Sequence, residues 1–253
     1  MKYNALTLMT ASLALLAACN SEKGGTAATT NTPLTTAAVA APNGGDWSTV
    51  TSASPEGGMM MGNPAAKVKL IEYGSLTCPH CREFEEEANT TLTGKYVKSG
   101  QVSFEFRNFL LNGYDMAASI IARCAGPAGF FGLTRQFYAD QPQWVGKISA
   151  ADPARMQAIS ALPVNQQLVE VAKLGGLQEY AAMRGLPVAK SSVCLADEKG
   201  PSQLVQMQSD VLAKYPDFPG TPTFIINGKM VETKSGSSVW TQVEASINAA
   251  LGS

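Results

Sequence analysis

Val68, Leu70 and Glu72 fall on one face of the run Val68-Lys69-Leu70-Ile71-Glu72-Tyr73, which predicts a strand. Beyond it the period lengthens. Cys81, Phe84, Ala88, Leu92 and Tyr96 recur at helical spacing, so a helix is expected from Pro79 towards Val97. Gln101 to Leu110, centred on Val102-Ser103-Phe104-Glu105-Phe106, reads as a second strand. From Asp115 to Tyr215 the pattern turns helical, with pieces around 115–124, 130–139, 164–183 and 201–214 separated by Gly and Pro. About 100 residues exceed what one crossover helix between parallel strands needs, so a helical subdomain is expected over about 115–215. The sheet resumes at Thr223-Phe224-Ile225-Ile226, turns at the hairpin signal Asn227-Gly228 and is followed by a helix over about 237–251.

The first 57 residues lack this patterning. Lys2 precedes an apolar stretch from Ala5 to Ala18, which reads as a secretory signal peptide over residues 1–18. The stretch ends Leu16-Ala17-Ala18-Cys19, similar to a bacterial lipobox, so Cys19 is expected to carry lipid; ordinary cleavage leaving a free Cys19 thiol is the alternative. Residues 19–57 are rich in Ser, Thr, Ala, Gly and Pro and read as a disordered tether with an r.m.s. span of roughly 35 Å. Met59-Met60-Met61 and a Gly62-Asn63-Pro64 turn then open a domain over 58–253.

Composition narrows the classes. The 253 residues are 45% hydrophobic and 15% charged with a net charge of −1, which suits one globular domain of about 200 residues. A near-neutral chain gives no support for nucleic-acid binding. No run after the first twenty residues is long enough to span a membrane. These features place the protein in the periplasm, lipid-anchored through Cys19, with inner or outer membrane left open. Asn20, where an Asp signals inner-membrane retention in some bacteria, points weakly to the outer one.

Five cysteines are an odd number for a secreted protein. Assigning Cys19 to lipid leaves Cys78, Cys81, Cys124 and Cys194. Cys78 and Cys81 are locally placed to pair, which leaves Cys124–Cys194 as a second bridge; two buried free thiols are the alternative.

Cys78-Pro79-His80-Cys81 at a strand-to-helix junction reads as a thioredoxin-like redox site. At the helix N-cap, Cys78 faces unpaired N–H groups and the positive end of the helix dipole, which stabilise a thiolate. Pro79 fits the first helical position. The apolar stripe puts Cys81 on the buried side and Cys78 at an exposed tip, so Cys78 is the attacking sulfur and Cys81 the resolving one. His80, the only histidine, can add a donor or positive charge beside Cys78, or be a surface side chain without a role. It leaves no room for a His-rich zinc site, and Arg82 after the second cysteine excludes haem attachment. Glu83, Glu85, Glu86 and Glu87 read as a solvated helix face. Glu72, upstream of the motif, can lie beneath the disulfide and shuttle the proton of Cys81, or reach solvent at the strand end.

Cys78-Pro79-His80-Cys81, Glu72 six residues before it, the helical insertion and Thr221-Pro222 together resemble the DsbA family of bacterial extracytoplasmic thiol–disulfide oxidoreductases, over about Met61 to Leu251. The resemblance implies an α/β thioredoxin fold with an inserted helical subdomain and no cofactor or metal. It implies a cis Thr221–Pro222 bond whose loop receives an extended substrate as an added strand. The implied activity is donation of the Cys78–Cys81 disulfide to reduced or misfolded extracytoplasmic proteins by a monomer that a DsbB-like membrane quinone reductase reoxidises. Thr221 is similar to isomerase and reductase relatives, so reverse electron flow stays open. Outside catalysis, Met59–Met61 with Cys78, His80 and Cys81 offers soft ligands for copper(I).

Overall fold

The β-branched and aromatic run of 68–74 and the helical stripe that follows it form the centre of the molecule. The computed structural model describes residues 42–252. It opens with a short helix α1 (Pro42–Gly45), a 3-10 turn (Trp47–Thr49) and strands β1 (Thr51–Ala53), β2 (Met59–Gly62) and β3 (Val68–Gly74). Helix α2 (Pro79–Thr91) runs into a π-helical stretch (Leu92–Val97) before β4 (Val102–Asn108). The insertion follows: α3 (Gly113–Cys124), α4 (Gly126–Ala139), α5 (Gln141–Ser149), α6 (Pro153–Ser160), α7 (Val164–Gly175), α8 (Leu177–Ala182), α9 (Val188–Ala196) and α10 (Lys199–Lys214). Strands β5 (Thr223–Ile226) and β6 (Lys229–Met230) and helix α11 (Val239–Leu251) complete it.

The strands form one 6-stranded sheet in the order β1-β2-β4-β3-β5-β6. β3 and β4 are parallel, the geometry a right-handed crossover through α2 produces, and all other neighbours are antiparallel. Val68 and Leu70 of β3 and Val102, Phe104 and Phe106 of β4 are buried, while Lys69 is exposed and Glu105 and Arg107 are half-buried. Phe84, Ala88, Leu92 and Tyr96 are all buried, and Phe84 packs on Phe224 of β5 at a ring-centroid distance of 4.4 Å. The α/β thioredoxin fold with a helical insertion between β4 and β5 is therefore the architecture of this chain.

Several boundaries differ from the sequence-based expectation. Residues 46–57, expected within a disordered tether, are structured. Trp47 is buried and its N–H donates to the Lys98 carbonyl, Asp46 caps the turn through the Ser48 N–H, and β1 pairs with β2. One bulky indole supplies the apolar surface that the rest of that segment lacks. Met59–Met61 lie in β2, with Met59 and Met61 buried, so these sulfurs serve packing and not an exposed soft-ligand set. The helix expected over 164–183 divides at Gly176, which takes the left-handed conformation (φ 67°) that glycine adopts without penalty. Residues 1–41, which carry the signal-peptide, tether and Cys19 expectations, lie outside the described residues.

Candidate active site

The chain leaves β3 at Gly74, crosses Ser75–Thr77 and enters α2 with Cys78 as N-cap in extended conformation and Pro79 in the first turn. An N-cap residue sits beside the orphan N–H groups of the helix start. The backbone N–H groups of Cys81 and His80 at this helix start favour the Cys78 thiolate, although the Cys78 side chain makes no capping hydrogen bond. Cys78 and Cys81 are free thiols here.

Their environments are opposite. The Cys78 thiol is pushed down to about 5, first by hydrogen bonding with the Cys81 thiol, against the cost of burial, with the Thr221 side chain and the two backbone N–H groups adding to the fall. A bond from the Cys78 thiol to the Thr221 carbonyl (3.3 Å) favours the protonated form and is outweighed. Cys81 is raised well above its ordinary value, chiefly by burial, then by donating to Cys78 and by the nearby Glu72 carboxyl. Cys78 does not stand at an exposed tip: the residue is only 4% exposed, against 0% for Cys81. The cis-proline loop covers it, and Thr221 of that loop is 143 residues away in sequence, beyond the reach of a helical-wheel argument.

Glu72 is buried beneath the pair on β3, and burial drives its carboxyl well above the usual range, with Glu85 and Cys78 adding to the rise. Its Oε1 has no hydrogen-bond partner among the described residues. His80 turns outward instead: its side chain is 72% exposed and its Nδ1 lies 2.9 Å from Glu83 Oε2, which raises its pKa.

Thr221–Pro222 is a cis peptide bond. The loop lines an open groove of about 630 Å³ with His80, Met230, Val231 and Val239, so an extended chain has room beside Thr221 and His80. Cys124 and Cys194 stand apart from this site, joined in a disulfide with their Cα atoms 6.0 Å apart, tying the end of α3 to α9.

The structure adds residues that the sequence did not single out. Glu85, read as part of a solvated face, is largely buried, and burial carries its carboxyl to about 7 against the opposing Arg135 charge, whose Nε is 3.4 Å away. The loop 75–78 is held by three side chains of the insertion. Tyr138 Oη donates to the Ser75 carbonyl (3.1 Å), Asp115 Oδ1 accepts from the Leu76 N–H (2.9 Å), and Gln141 Nε2 donates to the carbonyls of Leu76 and Cys78 (both 2.9 Å). Pro142 marks a helix start after Gln141, yet nothing in the sequence tells that glutamine from others in the insertion.

The thioredoxin family model matches residues 54–245. A Rickettsia bellii protein named for protein-disulfide oxidoreductase activity is 29% identical over 200 residues, covering 78% of this chain and 68% of the relative. Its Rickettsia prowazekii counterpart is 27% identical over 75% of this chain and 61% of its own length. Among solved structures, one titled protein-disulfide isomerase from Novosphingobium aromaticivorans is 31% identical with a TM-score of 0.68, covering 75% of this chain and 96% of that one. The α-DsbA1 structure of Wolbachia pipientis shares the fold at 22% identity and a TM-score of 0.60, over 79% of this chain and 94% of that one.

Proposed function

The chain belongs to the thioredoxin family and is a protein-disulfide oxidoreductase of DsbA type, and on that premise we propose that it donates its Cys78–Cys81 disulfide to reduced extracytoplasmic proteins. The observation that carries this reading is the asymmetry of the pair, Cys78 pushed down to about 5 and Cys81 pushed up. A reduced form stabilised by a thiolate makes the disulfide an oxidant, because reduction then gains free energy that a balanced pair lacks.

In the forward reaction a substrate thiolate attacks Cys78 Sγ, the Cys78–Cys81 bond breaks and Cys81 leaves. Its high pKa requires a proton, and Glu72, buried and protonated beneath it, supplies one. A second substrate thiol, deprotonated, attacks the mixed disulfide, and Cys78 departs as a stable thiolate. The substrate has lost two electrons and gained one disulfide; the enzyme holds the dithiol. The groove beside Thr221 and Pro222 receives the substrate as an extended segment. The two electrons pass to a DsbB-like membrane quinone reductase. The enzyme acts as a monomer in the periplasm, held to a membrane by lipid on Cys19; no described helix is long and apolar enough to cross a membrane.

Equilibrating the full chain with glutathione buffers while following the Cys78 thiolate tests the direction. A strongly oxidising pair with an acidic Cys78 is the expected result, and a potential near that of thioredoxin overturns it. A reductase or isomerase of the same fold is the second reading. It is favoured by Thr221 before Pro222 and by the isomerase title of the Novosphingobium relative. Refolding of a scrambled-disulfide substrate separates the two, since an isomerase restores its activity without net oxidant.

A further inference from the structure

The loop that delivers Cys78 to α2 borrows much of its hydrogen bonding from another part of the chain. Gln141, the first residue of α5 and buried, reaches across from the helical insertion and donates to both Leu76 O and Cys78 O at 2.9 Å. Cys78 O also accepts the Arg82 N–H at 3.2 Å, so this carbonyl is the first rung of α2 and is held from two sides. Tyr138 and Asp115 hold Ser75 and Leu76 earlier in the same loop. Buried carbonyls must be paired, and a side chain that pairs two of them two residues apart fixes the peptide planes between.

We propose that Gln141 is a positioning residue that locks the Cys78 carbonyl along α2, so that the positive N-terminal end of that helix stays fixed beside the Cys78 sulfur. This rests on the oxidoreductase reading above and names the part of the insertion that tunes that site. The coupling is one-sided in redox state. In the dithiol form Cys78 Sγ carries the charge that the helix N-terminus stabilises; in the disulfide form it carries none. A contact that keeps the helix start in place therefore stabilises the reduced protein more than the oxidised one, and by linkage raises its oxidising power. A glutamine that merely filled space would stabilise both forms equally and leave the potential where it was.

The test compares the full chain with Gln141→Leu, which removes the donors, and Gln141→Glu, which keeps the shape but is charged and cannot donate when ionised. In both, the Cys78 pKa should rise by about half a unit to one unit. The glutathione equilibrium should shift about two- to tenfold towards the oxidised protein, the range spanned by the loss of one net hydrogen bond. Variants that are less stable in both redox forms but keep the wild-type Cys78 titration and glutathione equilibrium overturn the proposal. One measurement needs no variant: the Gln141 side-chain amide NMR signals of the reduced wild type should follow the Cys78 titration, and signals indifferent to it overturn the proposal equally. The wild-type potential judges the direction of the enzyme, and the difference between wild type and variant judges Gln141, so the two readings fail separately.

Discussion

Cys78 and Cys81 stand three residues apart in the first turn of α2, whereas Cys124 and Cys194 are 70 residues apart and join α3 to α9. The surroundings differ as much as the spacing. Around the first pair lie a helix N-terminus, a neighbouring thiol, a buried carboxyl beneath and a cis-proline loop above, and together they separate the two thiol pKa values. The second pair packs against the hydrophobic core, with the Lys190 carbonyl 3.4 Å from Cys124 Sγ. Two sulfurs become a redox centre when their surroundings favour one thiolate and oppose the other; without that polarity a disulfide is a cross-link.

Replacing Cys78 breaks the comparison most completely. Cys78→Ser should abolish disulfide transfer to a reduced peptide, while Cys81→Ser, offered a peptide carrying a disulfide, should form by exchange a mixed disulfide at Cys78 that persists, the peptide's other sulfur leaving as a thiol. Trapping the adduct by non-reducing electrophoresis checks both, and an adduct formed through Cys81 in Cys78→Ser would reverse the assigned roles. Cys124→Ala with Cys194→Ala should act on stability alone. Removing a bridge that closes a 70-residue loop costs about 4 kcal/mol in the chain-entropy model. Denaturant unfolding reads this loss, and an unchanged glutathione equilibrium at Cys78–Cys81 is the companion result. A shifted equilibrium would join the two pairs functionally and end the contrast.

The legibility of the two regions also differs. The motif, the Phe84–Tyr96 stripe and the returning strand at Thr223 follow from local spacing, because a strand–helix–strand unit writes its buried faces at periods of two and 3.6 residues. The insertion is legible in its length and punctuation, but α5, α6 and α9 within it are not. α5 and α6 are short and begin at Gln141-Pro142 and Pro153, and α9 follows Pro187. In a helical layer covered on several sides the apolar stripe broadens and its period fades. Glu85 was misread for a different reason. It lies amid exposed acidic neighbours, and only the tertiary approach of α4, bearing Arg135, buries it. Gln141 and the cover over Cys78 likewise depend on chain segments distant in sequence.

Glu72→Gln sharpens the contrast inside the redox centre. The amide keeps the shape beneath Cys81 but cannot exchange a proton. Formation of the Cys78 adduct, in which Cys81 leaves, should slow by about a hundredfold, the lower range for general acid–base catalysis, while release of Cys78 from that adduct by the second substrate thiol keeps its rate. Stopped-flow measurement of the two steps across pH checks this, and a pH–rate profile for Cys81 identical to wild type removes the role.

The smallest expected effect falls on Glu85, where the polarity of the site meets stability. Its folded-state pKa, about 7, lies above the ordinary 4.5 because burial opposes the charge more than Arg135 supports it. Between those values the folded protein holds a proton that the unfolded chain has released, so stability falls as pH rises from about 4.5 to 7 and the loss is complete above. Glu85→Gln removes that titration. The variant should therefore unfold at higher denaturant than wild type at pH 8, by the equivalent of roughly 1–2 kcal/mol, with the advantage fading towards pH 4.5. Loss of the Arg135 partner works against this gain, and the variant's position relative to wild type at pH 8 measures which of the two governs. Glu85 also helps to raise Glu72, so the same substitution should lower the Glu72 titration seen in the Cys81 rate. A variant that is less stable at pH 8 and leaves the Cys81 profile unmoved would show that the Arg135 ion pair, not desolvation, dominates, and would return Glu85 to the solvated helix face that the sequence suggested.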